Sequence, residues 1–384
     1  MKRAHLAFLA CAAIFALAAA PVARAEYTFT LIADTTSPTF NSFNILSVAI
    51  NASGRVAFAA QLDNFDNGIF TGAGGPTTTI ALASGPTFSY FAAPVIDSAG
   101  NAVFFAGLDA GRTGNFYGSG GPTTTIALDA DHGGSLGQPA VNAAGTAVFT
   151  GGLLGNQGIF TVTNGTKTTV ASTGGAPFSS FAEKPSINAT GTVAFEAALD
   201  AGGEGIFTKA GGVTTTIALS SSPLYSDFAP PVVNAGGTVA FSAILDDGGR
   251  GLYTSTGGVV TTIADTSGPF NGVGGVPAIN AAGIVAFSGS LDAGGYGIYL
   301  GDGGAPPTRV FGTGDALFGS TITQLIFGPA GFNDAGQLAF NYTLANGVQG
   351  IAVATPTPPV PEPTSALLLA ASGFTLLLRR RARP

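Results

Sequence analysis

The sequence predicts an all-β chain folded as a seven-bladed β-propeller of four-stranded blades. One observation sets the count. Asn-x-x-Gly followed by a Phe-centred strand recurs at Asn51, Asp97 (with Asp in place of Asn), Asn142, Asn188, Asn234, Asn280 and Asn333, at steps of 46, 45, 46, 46, 46 and 53 residues. A second sets the blade, because each unit holds four short strand patterns separated by turn residues. The third sets closure. The seventh unit ends without its fourth strand, and a copy of that strand stands near the start of the chain.

The elements of one unit follow from the stretch between Pro185 and Ala218. Pro185 is tolerated at the start of a strand, so Ser186-Ile187 is the first strand. Asn188-Ala189-Thr190-Gly191 is a tight turn with Gly191 free to take positive φ. Thr192 to Leu199 alternates, with Val193, Phe195, Ala197 and Leu199 on one face, and Phe195 fills the core. Its equivalents are Phe58, Phe104 or Phe105, Phe149, Phe241, Phe287 and Phe340. The turn Asp200–Gly205, the strand Ile206-Phe207-Thr208, the turn Ala210-Gly211-Gly212 and the strand Thr214 to Ala218 complete the blade.

The seventh unit runs from Leu325 to Ala352 and then enters the Pro-rich stretch Thr355 to Pro359. Thr28-Phe29-Thr30-Leu31-Ile32-Ala33-Asp34-Thr35 supplies the missing strand, and it matches Thr261 to Thr266 closely. Closing the ring in this way removes open sheet edges. A linear β-solenoid also suits small residues and turns at fixed spacing, but it does not account for the displaced strand. The domain boundaries expected are 1–25, 26–354, 355–359 and 360–384.

Composition narrows the function. Charged residues are 9% of the chain, and residues 26–361 hold seven basic against twenty acidic side chains. That field opposes binding to nucleic acid or to anionic membrane surfaces. Lys2 and Arg3, the apolar run Leu6–Ala20 and Ala23-Arg24-Ala25 make a secretory signal cut before Glu26. Cutting there removes Cys11, the single cysteine, so no disulfide or thiolate site is expected in the mature protein.

At the other end, Val360-Pro361-Glu362-Pro363 precedes the uncharged, mostly apolar run Ser365–Leu378 and the cluster Arg379, Arg380, Arg381 and Arg383. The run is shorter than the roughly 20 residues of an untilted span, which suits a transient membrane anchor. The arginines would hold the extreme C-terminus in the cytoplasm. These last twenty-five residues resemble the PEP-CTERM sorting signal of Gram-negative bacteria, recognised by an exosortase. The tandem Asn-x-x-Gly-x-x-Ala-Phe units from Ile50 to Ile351 are similar to secreted bacterial repeat proteins that carry C-terminal anchors, with departures at Asp97, Val103 and Val148. The resemblance implies an inner-membrane-anchored precursor, processing by exosortase, and display at the cell surface or release into the extracellular matrix, with exopolysaccharide or a matrix protein as partner. It implies no reaction.

Candidate site residues come from the loops. In a propeller the turn between second and third strands and the loop joining successive blades open on one face. The first carries Asp63, Asp109, Asp200, Asp246 and Asp292, interrupted at Leu154 and Ala345. The second carries Phe88, Tyr90, Phe91, Phe178, Phe181, Tyr225, Phe228 and Phe270. An acidic face with aromatic rims could take a carbohydrate by ring stacking. The plainer alternative is that each Asp starts a turn by bonding its own backbone while the aromatics cover blade junctions. Asp200–Gly205 lacks the alternating oxygen ligands of a calcium loop, so no metal or other cofactor is assigned. His132, the one histidine of the mature chain, is expected in a solvated loop. No catalytic residue is assigned, and the protein is expected to be a non-enzymatic scaffold or binding propeller. A secreted polysaccharide hydrolase is the alternative, and it requires two converging carboxylates, one with a raised pKa.

Overall fold

The computed structural model describes residues 26–43, 48–134, 136–153 and 155–357. The signal segment, the sorting motif at Val360–Pro363, the apolar run and the arginine cluster lie outside these residues, as does Leu154. Residues Tyr27–Pro356 form a compact unit of seven antiparallel sheets. Among the described residues the sole helix is a short 3-10 turn, Asp129–His132, and no helix is long and apolar enough to cross a membrane.

Each sheet is one blade, its four strands following one another from the axis outward. In the fourth blade the order is Phe178–Phe181 with Ser186–Ile187, then Val193–Leu199, Glu204–Ala210 and Val213–Leu219. The inner strand comes in two pieces that pair with the same neighbour, Phe178 opposite Leu199 and Ile187 opposite Val193. Lys184-Pro185 lies in the break, and the same Pro stands at Pro94, Pro139 and Pro231, with Pro329 one place earlier in its repeat. These prolines line a central channel of about 300 Å³ with residues from all seven blades. The inner strand is a sheet edge facing the channel, where a residue without an N–H costs no ladder bond. The first strand therefore begins eight residues earlier than Ser186, at Phe178, and takes in the aromatics assigned above to the joining loop.

Those aromatics are core. Phe178 meets Phe195 at 5.6 Å and Phe207 at 5.1 Å between ring centroids, both edge-on, while Phe195 and Phe207 stack at 5.8 Å. The same trio is built from Phe40, Phe58 and Phe70, from Phe88, Phe104 and Phe116, and from Phe270, Phe287 and Tyr299. The second-strand member of the second blade is Phe104, fully buried, and not its neighbour Phe105. The Phe face of the fourth blade packs on Val148 and Ala171 of the third, whereas Ala194, Ile206 and Ala218 on its other face receive Tyr225 and Phe228 of the fifth. Both faces of each blade are thus buried, which is why small residues alternate with aromatics.

In five of the repeats the Asn does more than turn the chain. Asn188 Oδ1 accepts the N–H groups of Thr190 and Thr192, and its Nδ2 donates 2.9 Å to the carbonyl of Asn234 in the next blade. Asn51 reaches Asp97 O, Asn142 reaches Asn188 O and Asn234 reaches Asn280 O in the same way, at 2.9–3.0 Å. Asn333 of the last blade reaches Asn51 O of the first at 2.9 Å, across 282 residues of sequence. A linear solenoid cannot make that bond.

Closure is made by Tyr27–Asp34, which pairs antiparallel with Gln349–Pro356 as the outer strand of the seventh blade. The pairing extends to Thr28 opposite Thr355 and Tyr27 opposite Pro356. The first two residues of the expected Pro-rich spacer are therefore strand, with Pro356 at the strand end where its missing N–H is harmless. The 53-residue step before the last repeat takes in an extra short strand, Ala316–Leu317, paired with the inner strand Ser320–Ile326 of the seventh blade.

Deleting residues 26–35 should lower the melting temperature of the whole propeller in a single transition. It strips a full strand and the buried Ile32, whose burial alone stabilises by about 1.5–3 kcal/mol. Calorimetry of the truncated protein checks this, and an unchanged transition would refute closure by the N-terminal strand.

Candidate functional site

The second-to-third-strand turns and the blade-joining loops do share one face, because they are bonded to each other. The N–H groups of Asp63, Asp109, Asp200, Asp246 and Asp292 donate to Thr39, Thr87, Pro177, Leu224 and Pro269 carbonyls at 2.9–3.2 Å. Ala345 makes the same bond to Thr321 at 2.8 Å. Any residue can therefore hold the turn, since the bond uses the backbone. The expectation that the Asp side chain starts the turn is not what is found. The five carboxylates instead stand exposed, one per blade, around one face of the ring.

The aromatics do not form a rim there but cover blade junctions, the plainer of the two readings: Phe88, Phe91, Phe178, Phe181, Tyr225, Phe228 and Phe270 are buried, and of the eight named only Tyr90 is exposed. His132 is likewise not solvated. It is 3% exposed, packed edge-on against Phe160 at 4.7 Å and Phe149 at 5.6 Å. It takes the inner-strand place that Phe88 or Phe178 fills elsewhere, because the third blade has a 3-10 turn where the others have a strand. Burial, and then the charge of Lys167, push its pKa down, so it serves as a neutral aromatic.

A converging group of carboxylates was not anticipated. Glu196 and Glu204, in adjacent strands of the fourth blade, meet Asp227 from the inner strand of the fifth. Burial, with Glu204 and Asp227 adding repulsion, pushes the Glu196 carboxyl up to about 7. Burial and a hydrogen bond with Asp227 raise Glu204 as well. Glu204 also accepts the N–H of Phe228 at 3.1 Å. Gln157 accepts from Phe181 and Gln349 from Phe43 in the equivalent way, at 2.9 and 3.4 Å. The sequence carries a signal for this group: Glu196 is the one acid in a column that elsewhere reads Ala59, Phe105, Thr150, Ser242, Ser288 and Asn341. Among the described residues no group of three or more His, Cys, Asp or Glu is placed to hold a metal ion.

The other break in the pattern is at the second blade. Asp97 has no amide to donate to the third blade, and its carboxylate accepts Asn101 N and Asn101 Nδ2, each at 2.9 Å, and the Tyr117 hydroxyl. Burial, then Asp97, push the Tyr117 phenol up to about 12. Ser98 Oγ ties the two blades instead, donating 2.6 Å to Ala143 O.

In fold, the chain is similar to the acylaminoacyl peptidase of Pyrococcus horikoshii, with a TM-score of 0.52 at 11% identity over 81% of this chain and 52% of that one. The chain thus spans about half the length of that enzyme. The polysaccharide lyase Uly1 gives a TM-score of 0.51 at 10% identity, over 80% of this chain and 89% of the lyase. The BP39L lectin from Burkholderia pseudomallei gives 0.44 at 12% identity, over 71% and 82%. At such identities the likeness is one of fold. No curated protein matches the sequence. The model of a family of unknown function (DUF7453) matches residues 31–367.

The raised Glu196 carboxyl makes stability depend on pH. Its folded pKa, about 7, lies above its ordinary 4.5, so its contribution is fully present below about 4.5 and is lost as pH rises through 7. Melting temperatures measured from pH 4.5 to 8 should fall more steeply in the native protein than in Glu196→Gln, which carries no charge at either end. Parallel profiles would show that Glu196 does not titrate in this window.

Proposed function

The chain belongs to the DUF7453 family, whose function is unknown, and from that premise we propose that it is an exported, non-enzymatic binding propeller of the bacterial surface or extracellular matrix. The segment 1–25 directs export. The run Ser365–Leu378 and the cluster Arg379–Arg383 hold a precursor in the inner membrane, and an exosortase processes it at Pro361-Glu362-Pro363. The propeller then acts as a scaffold that associates with exopolysaccharide or a matrix protein.

One observation carries the non-enzymatic part of this reading. The five turn carboxylates are dispersed around the ring, one per blade, and of the carboxylates that converge Glu204 is engaged in joining two blades. Glu204 does at its junction what Gln157 and Gln349 do at theirs, and glutamine has no acid–base chemistry. A polysaccharide hydrolase remains the second reading because of Glu196, whose pKa near 7 suits a general acid.

Purified protein should co-sediment with isolated extracellular polysaccharide and release no reducing ends from it. Reducing-end release that is lost in Glu196→Gln would establish the hydrolase instead. Sorting is tested separately: alanines at Pro361, Glu362 and Pro363 should leave the melting temperature unchanged and accumulate a longer, membrane-bound form on immunoblots of fractionated cells. Normal maturation of that variant would remove the sorting assignment.

A further inference from the structure

The face that carries the Asn turns opens between the second and third blades into a cleft of about 480 Å³, within the range of small-molecule sites. It lies where the repeat departs most from its own rule. Asp97 replaces the Asn that ties other blades together, and Tyr117 stands in a column of Thr71, Thr161, Thr208, Thr254, Leu300 and Val353. Asn115 replaces the Ile or Leu of the remaining blades and donates to Gly137 O of the third blade at 3.2 Å. This junction thus departs from the repeat at three places, and at Asn115 it exchanges an apolar contact for a polar one.

The lining defines a ligand chemistry. One wall is the Asp97–Tyr117 pair, with Asn101 bonded to both, so the phenol proton is committed to the carboxylate and the ring is held in one orientation. The exposed Thr124 and Thr125 present hydroxyls that can donate or accept. Ile126 and Val162 make an apolar floor. No Lys, Arg or His is among the lining residues, and Asp97 is acidic, so a phosphate, sulfate or uronate would meet repulsion without a counter-charge. An uncharged ring with hydroxyls at its rim and C–H groups on its face satisfies every surface present.

We propose that this cleft binds a neutral hexosyl unit of a polysaccharide; the inference rests on the binding role above and gives that role a site. Full-length protein, in a detergent without a sugar headgroup, would be titrated calorimetrically with tetrasaccharides of glucose, mannose and galactose, and with tetragalacturonate. Two variants accompany it. Asp97→Asn installs the residue of the other six repeats, can donate to the Asn142 carbonyl and takes the acceptor from Tyr117. Ala144→Trp, at an exposed turn position on the rim, fills the cleft.

Expected are binding of at least one neutral tetrasaccharide, a tenfold or greater loss in each variant, an Asp97→Asn melting temperature at or above that of the native protein, and no binding of tetragalacturonate. A neutral glycan bound equally by all three proteins would place the contact elsewhere and overturn the cleft while leaving the binding role standing. Preference for the uronate would overturn the ligand class. Absence of binding to every tetrasaccharide overturns the cleft alone if the protein still sediments with matrix polysaccharide, and overturns both if it does not.

Discussion

The fold depends on a ring of short polar ties, one per blade junction. Four-stranded sheets bury both faces but do not by themselves fix how far one blade is rotated from the next. Here a buried carboxamide does so. Its oxygen accepts the turn's own N–H groups, and its nitrogen reaches a single carbonyl of the neighbour, as Asn188 does to Asn234 O. Leaving either half unmade inside the protein would cost about 1–3 kcal/mol, so turn and junction geometry are specified together. In the second blade, where Asp97 stands in place of the Asn, Ser98 makes the tie to the third, and between the sixth and seventh the Ala281 N–H donates to Asp334 at 2.6 Å.

This double use explains what could be read from the sequence and what could not. The turn half of the motif involves residues two and four positions away, so Asn-x-x-Gly announced it. The junction half involves a carbonyl a full repeat away, and nothing local marks it. Blade number, the Phe core and closure by Thr28–Thr35 were legible because each is a repeat-scale pattern. The inner strand was cut short at Pro185 because a proline and the polar residues before it resemble a loop. Only the channel-facing edge makes that composition compatible with a broken strand, and so the sequence places Phe178 and Phe181 in a loop, as rim or as junction cover, when they belong to the inner strand and the core. His132 was misplaced for a related reason. Its neighbours Asp131 and Gly133 are loop residues, but the ring fills a vacancy set by Phe149 and Phe160, which lie seventeen and twenty-eight residues further on.

In a tandem array, a residue repeated in every unit serves the array, and departures are where one unit can do something the others do not. The turn aspartates show the limit of this rule. They recur in five blades, yet the turn bond belongs to the backbone and Ala345 makes it equally well. Their carboxylates are thus not required by the turn, and they leave the face acidic. That charge disfavours polyanions, a general property of the surface and not a discrete site.

The departures divide by what they cost the junction. At the fourth and fifth blades, Glu196, Glu204 and Asp227 crowd like charges into a partly buried interface, and proton uptake by Glu196 relieves the repulsion. The Phe228 N–H is still satisfied, so the junction survives with a carboxylate where its counterparts use an amide. At the second and third blades the exchange runs the other way. The amide donor is given up for the Asp97 carboxylate, a tyrosine is bound to that carboxylate, and a serine keeps the blades together. The first change is tolerated within a closed interface. The second leaves open space bordered by oriented hydroxyls, and space of that kind, at a junction where the repeat has changed, is what a binding site on a repeated scaffold requires.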